Sequence, residues 1–128
     1  MCSSDLGIAH IAWEDYTAAQ VEDIFRKAAA GECLSREAIN RYKSAFLIEM
    51  AKLYKRYNFV MQLHIGTYLD ANHRKVREIG QSTGFDCVDD STAVKSVGQI
   101  LDRLTELDQL PKTILYPQIG RASCRERV

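Results

Sequence analysis

Two polar side chains interrupt an apolar run at residues 59–65, which reads FVMQLHI. Gln62 and His64 are two positions apart, so in a β-strand they share one face while the apolar residues between and around them lie on the other. An imidazole can exchange a proton near neutral pH, and an amide can orient it through a hydrogen bond. A single strand histidine is more often a core residue than a reactive one. The residue types alone therefore leave both roles open for His64.

The composition indicates a globular protein of about one domain. The chain has 128 residues, 46% of them hydrophobic, and its 17 basic residues equal its 17 acidic ones. This balance favours neither nucleic acid nor an anionic membrane as a partner. The four cysteines lack the paired spacing of a zinc site, and we expect free thiols in the cytoplasm.

Both ends of the chain translate nucleotide strings that resemble sequencing-library adapters. MCSSDL corresponds to one adapter read from a GTG start, and IGRASCRERV corresponds to the opposite adapter followed by its stop codon. We therefore expect residues 1–6 and 119–128 to be adapter-derived and residues 7–118 to be an internal piece of a longer protein. The alternative is a native basic tail.

Helical and strand patterns alternate along the chain. A capping box at Thr17–Gln20 predicts the start of a helix, because hydroxyl and amide can satisfy the free backbone amides there. Periodicity predicts helices over about 17–30, 35–57, 71–79 and 92–107, and strands over 59–65 and 112–116. This order indicates an α/β fold with parallel strands, of which two are too few to form a stable sheet alone.

The second helix carries the strongest periodic signal. Apolar residues recur along it in steps of three and four, which predicts a core-facing stripe; a ligand groove is the alternative. The stripe consists of Ile39, Tyr42, Phe46, Met50, Leu53 and Tyr57.

Three motifs in fixed order resemble the uronate isomerase family, which includes glucuronate isomerase. They are MQLHIG at 61–66, TGFD at 83–86 and LPKTILY at 110–116, and the helical stretch at 30–60 is also similar. The resemblance implies a fragment of a (β/α)8 TIM-type barrel of the amidohydrolase kind, with residues 7–118 as a partial barrel domain.

The resemblance also implies an activity. Family members interconvert D-glucuronate and D-fructuronate, or D-galacturonate and D-tagaturonate, in hexuronate catabolism. It implies a divalent metal, with zinc the expected ion, whose ligands lie outside this chain. The isolated chain is accordingly expected to be inactive, and an oligomer of the parent enzyme is left open.

Within the fragment, the resemblance implies that His64 is catalytic and contacts the hexuronate. Gln62 lies deeper in the strand, where it either orients His64 or satisfies the polar groups of the barrel core. His64 would lie at the carboxyl end of its strand, where barrel active sites are built. The family commonly has an arginine five residues after this histidine, but Leu69 stands there. Arg74 is out of register with that position.

Other polar residues are weaker candidates for a functional site. His10 is an even alternative between pocket and surface, because Ala9 replaces the expected family Asp, and His73 is expected on a helix surface. Asp86, Asp89 and Asp90 lack the spacing of a calcium loop, so capping and loop hydrogen bonds are expected of them.

Two other functions remain open on the sequence. One is a different metal-dependent enzyme on an amidohydrolase-type barrel, because that fold hosts many reactions. The other is a non-catalytic helical interaction module in which the strands are over-interpreted.

Overall fold

Helices and parallel strands alternate in the computed structural model, which describes residues 3–7, 11–89 and 94–117. In chain order the elements are β1 Ser3–Gly7, α1 Ala18–Ala29, α2 Arg36–Arg56, β2 Val60–Ile65, β3 Thr67–Tyr68, α3 His73–Ile79, β4 Cys87–Val88, α4 Val94–Glu106 and β5 Thr113–Pro117. Strands β1, β2 and β5 form one parallel sheet with β2 in the centre. Strands β3 and β4 form a separate antiparallel pair.

The predicted elements are confirmed, and the sheet has one strand more than predicted. The four helices and the strands β2 and β5 lie within a few residues of their expected bounds. β1 was not predicted as a strand, because residues 1–6 were expected to be adapter-derived. Its backbone pairs with β2 from Ser3 against Val60 to Gly7 against His64. A parallel ladder is made by backbone groups, so such a strand leaves little trace in the pattern of side chains.

Side chains cap the helices as the sequence indicates. The backbone amide of Gln20 donates to Oγ1 of Thr17 at 3.3 Å, and the amide of Thr17 donates to Oε1 of Gln20 at 2.9 Å. The predicted capping box is therefore present. Ser35 and Asn72 accept backbone amide hydrogens at the starts of α2 and α3. These contacts define where each helix begins against its preceding loop.

The hydrophobic core lies between one face of the sheet and the helices α2 and α4. Met61, Leu63 and Ile65 supply the strand side of this core and are buried. The helix side is supplied by Leu47, Ile48, Ala51, Tyr54, Val97, Ile100 and Leu104. This packing leaves Gln62 and His64 on the face of β2 that points away from the helices.

The predicted core-facing stripe of α2 is wrong for most of its residues, although Met50 packs against the core. Phe46 is 55% exposed, and Leu53 and Tyr57 are exposed as well, whereas Ile48 is 1% exposed. The buried face is instead Ser44, Ala45, Leu47, Ile48, Ala51 and Tyr54. It contains small residues, which let the helix approach the sheet and the neighbouring loop closely.

Ser44 shows how close this approach is. Its side chain is fully buried, and its hydroxyl accepts from the amide of Glu14 at 3.0 Å and donates to the carbonyl of Asn40 at 2.9 Å. The predicted stripe on the outer face of α2 is partly covered by α1, where Phe25 stacks on Tyr42 with ring centroids 6.4 Å apart.

In the described residues, no helix is both long and apolar enough to cross a bilayer.

Candidate functional site

His64 lies one residue before the end of β2, the central strand of the sheet. Gly7 of β1 is in register with it on one side and Tyr116 of β5 on the other. Its side chain is half-buried. The carboxyl ends of these parallel strands meet at one edge, which is where α/β folds build binding and catalytic sites. His64 is thus placed where a substrate could reach it.

An aromatic ring packs against the imidazole of His64. The rings of His64 and Tyr116 are stacked, with centroids 4.6 Å apart and planes inclined by 22°. Tyr116 is 41% exposed, so the pair lies at the surface of the described chain rather than in its core. The sequence did not identify Tyr116 as a site residue, and the only available signal was its position at the end of the LPKTILY motif.

Gln62 lies two residues before His64 and on the same face. It is half-buried, and Ile114 of β5 is its register partner. Ile114 and Tyr116 are exposed on this face, so the described part of the chain leaves it open. The predicted role of Gln62 in orienting His64 stays a prediction.

After β2 the chain makes a tight turn at Gly66 and returns to the same point at Asp89. The segment between these residues is called the excursion. Gly66 has φ of 77°, a left-handed conformation that favours glycine. The carbonyl of Gly66 accepts from the backbone amide of Asp89 at 2.9 Å, so the far end of the excursion is tied beside His64. Between these ends, Thr67 and Tyr68 pair with the backbone of Val88 and Cys87.

Two carboxylates hold this excursion together. Asp86 accepts from the amide of Asp70 at 2.8 Å, and Asp70 accepts from the amide of Ser82 at 2.9 Å. The amide of Ala71 donates to the carbonyl of Phe85 at 2.8 Å. The loop role expected of Asp86 is confirmed by this hydrogen bond, whereas Asp90 lies outside the described residues.

The arginine expected five residues after His64 is replaced by a leucine. Leu69 is 58% exposed at the position where the arginine was expected. Arg74 pairs through Nε with Oε1 of Glu78 at 3.1 Å, on its own helix. His73 is exposed, as predicted, and His10 and Ala9 lie outside the described residues.

Charged pairs on the helices shift several pKa values. Hydrogen bonds from Lys75 and then Arg74 lower the pKa of the Glu78 carboxyl, and those from Lys27 and Arg26 lower that of Asp23. These groups lie on α3 and α1 rather than beside His64. The lowered pKa values of Glu78 and Asp23 therefore arise on solvated helix surfaces and give no direct information about the site.

A cavity of about 570 Å³ lies in the helix layer, away from His64. Its walls include Trp13 and Tyr16 together with the ion pairs Glu49–Lys52 and Arg103–Glu106. Burial and, to a lesser extent, Glu49 raise the pKa of the Tyr16 hydroxyl. Neither Gln62 nor His64 lines this cavity, so its size does not make it the candidate site.

The sequence profile of the family described as Glucuronate isomerase matches residues 1–123. The chain belongs to this family. Two curated relatives are similar to this chain. It is 37% identical over 116 residues to the uronate isomerase of Lachnospira eligens, and 39% identical over 113 residues to the uronate isomerase of Clostridium perfringens. These alignments cover 90% and 88% of the chain but only 25% and 24% of the relatives.

Solved structures show the same relationship. The uronate isomerase of Thermotoga maritima matches with a TM-score of 0.71 and 26% identity, over 90% of this chain and 25% of that one. The glucuronate isomerase of Caulobacter crescentus matches with a TM-score of 0.68 and 27% identity, over 91% and 24%. The predicted fold class, a fragment of a TIM-type barrel, is confirmed by these matches. The chain spans about a quarter of the length of its relatives.

The metal implied for the family does not fit the residues of this segment. Within residues 11–87, 89 and 94–116, whose side chains are described, no three His, Cys, Asp or Glu residues are grouped so that they could hold a metal ion. Catalytic divalent sites in enzymes usually need about three protein ligands. In this member of the glucuronate isomerase family, the described side chains therefore form no metal centre.

Proposed function

We propose that the longer protein containing this chain is a uronate isomerase. It would interconvert D-glucuronate and D-fructuronate, or D-galacturonate and D-tagaturonate. The observation that carries this proposal is the position of His64, at the carboxyl end of the central strand and on the open face, in a chain of the glucuronate isomerase family. The parallel ladder through β2 speaks against a purely helical interaction module.

The reaction requires a proton to move between C2 and C1 of the sugar. A group near neutral pKa must remove and return this proton, and a hydrogen-bond donor must stabilise the developing oxyanion. The imidazole of His64 can serve either role, because it is both donor and acceptor when neutral. We assign His64 to catalysis and substrate contact, with Gln62 orienting it from deeper in the strand.

The carboxylate of a hexuronate requires a cation for recognition. Arginine suits this task because its planar fork binds a carboxylate through two hydrogen bonds. Leu69 occupies the position commonly held by such an arginine, and Arg74 is engaged by Glu78. Leu69 therefore removes one candidate for this cation, and this difference bears on which uronate the parent prefers.

A divalent metal, with zinc the expected ion, belongs to the proposal for the parent enzyme only. When bound, such an ion would polarise the carbonyl and hydroxyl oxygens of the sugar. Its ligands would lie outside this segment. Loss of turnover after chelation of the full-length protein, and recovery on addition of zinc, would support this part of the proposal. We also place the parent in the cytoplasm; fractionation of the source cells tests that placement.

The proposal is tested by comparing the full-length protein with the chain. We expect the full-length protein to form D-fructuronate from D-glucuronate, or D-tagaturonate from D-galacturonate, and the purified 128-residue chain to form neither. The chain should fail because it spans about a quarter of its relatives and holds no metal centre in its described residues. Product formation can be followed by NMR of the sugars. Turnover of neither uronate by the metal-loaded full-length protein would reject the proposal.

We also propose that residues 1–6 and 119–128 derive from appended adapter sequence. The support is the correspondence between these residues and two opposite adapters. Amplification and sequencing of the source locus across both junctions should show different codons before residue 7 and after residue 118. Recovery of the same codons from genomic DNA would show that both segments are native.

A further inference from the structure

The stacked pair His64 and Tyr116 joins two strands at the carboxyl end of the sheet. The two residues are in register across the β2–β5 ladder, so their side chains leave the sheet on the same face. Their rings lie 4.6 Å apart and are close to parallel. Neighbouring strands lie about 4.8 Å apart, so this stack follows directly from the strand register.

Stacking constrains the imidazole in a particular way. Both ring nitrogens carry their hydrogen bonds in the plane of the ring, whereas Tyr116 contacts the face of that plane. The tyrosine can therefore restrict rotation of the ring without using either nitrogen. His64 is only half-buried, so packing from other residues restricts its ring less than it would in a core.

We propose that Tyr116 is a positioning residue that holds the imidazole plane of His64 toward the sugar. This inference rests on the proposed isomerase function. Tyr116 acts through the face of its ring and not through its hydroxyl. Phenylalanine should therefore replace it, and an aliphatic residue of similar size should not.

The first test uses steady-state kinetics of the full-length, metal-loaded protein. We expect Tyr116→Leu to lower kcat roughly two- to tenfold, the factor that corresponds to an aromatic pair, with a smaller change in KM. Tyr116→Phe should keep the wild-type kcat. Leu115→Ala is the matched control, because Leu115 is the adjacent residue of β5 on the opposite face and is similarly exposed. It should leave kcat unchanged.

The second test reads the stack itself, independently of activity. In NMR spectra of histidine-labelled protein, the ring protons of His64 should be shifted upfield by the ring current of Tyr116. Tyr116→Leu should remove this shift and Tyr116→Phe should keep it, with His64→Asn assigning the resonance. If the wild-type protein turns over neither uronate, the proposed function fails while this shift still decides whether the stack exists.

Any one of three results would overturn the inference. Equal loss of kcat in Tyr116→Phe and Tyr116→Leu would show that the hydroxyl acts directly. Wild-type kcat in Tyr116→Leu, or His64 ring protons without an upfield shift in the wild-type protein, would show that the ring does not position His64.

Discussion

Replacing His64 by asparagine in the full-length protein is expected to lower kcat for uronate isomerisation by about 10²- to 10⁴-fold. This range corresponds to the loss of a positioned acid or base. Asparagine keeps the polarity and approximate size of the side chain but cannot exchange a proton near neutral pH. The measurement is steady-state turnover of the preferred uronate with the wild-type and variant proteins.

His73→Asn is the matched control for this substitution. His73 begins α3 and is exposed, so the same chemical change there should leave kcat unaltered. Circular dichroism of both variants checks that the fold is retained. Equal activity of His64→Asn and the wild type would contradict the role assigned to His64, and so would equal losses at both histidines.

Ile48→Ala is expected to cost this chain about 2–5 kcal/mol of unfolding free energy, whereas Phe46→Ala should cost less than about 0.5 kcal/mol. Ile48 is 1% exposed in the core between α2 and β2, so its truncation leaves a cavity. Phe46 is 55% exposed on the outer face of the same helix. The measurement is urea unfolding of the wild type and both variants, followed by circular dichroism.

Phe46→Ala also tests whether the exposed apolar stripe of α2 promotes association of the chain. Exposed aromatic and aliphatic side chains favour association, so this variant should be more soluble than the wild type. Ile48→Ala should instead be less soluble, because it populates unfolded chains. If Phe46→Ala were the more destabilising of the two variants, the face of α2 that carries Phe46 would be the buried one. That result would contradict the structure.

The sequence was sufficient for the four helices and for strands β2 and β5, but not for β1, β3 and β4. Thr17 and Gln20 mark the start of α1 through local hydrogen bonds, which act over three residues and depend little on the rest of the fold. Alternation along β2 places Gln62 and His64 on one face, because the period of a strand is set by its backbone. The ordered motifs then indicated the family that the profile match shows.

The sequence could not decide which face of α2 is buried. This helix has a stripe of large apolar residues and, nearly opposite, a face that mixes small and aliphatic ones. Both have helical periodicity, and the larger residues give the stronger hydrophobic signal. Close packing of Ser44 and Ala51 against the loop and sheet decides in favour of the second face, and that fit exists only once the partners are assembled.

What the sequence alone determined is thus local: the capped helices, the alternating strand and the presence of a histidine near its end. The tertiary structure decided every contact that depends on register between distant strands. It brought Tyr116 of β5 onto the ring of His64 and tied Asp89 to Gly66 at the end of β2. A shift of one residue in such a ladder turns a side chain to the opposite face, and strand periodicity does not specify the register.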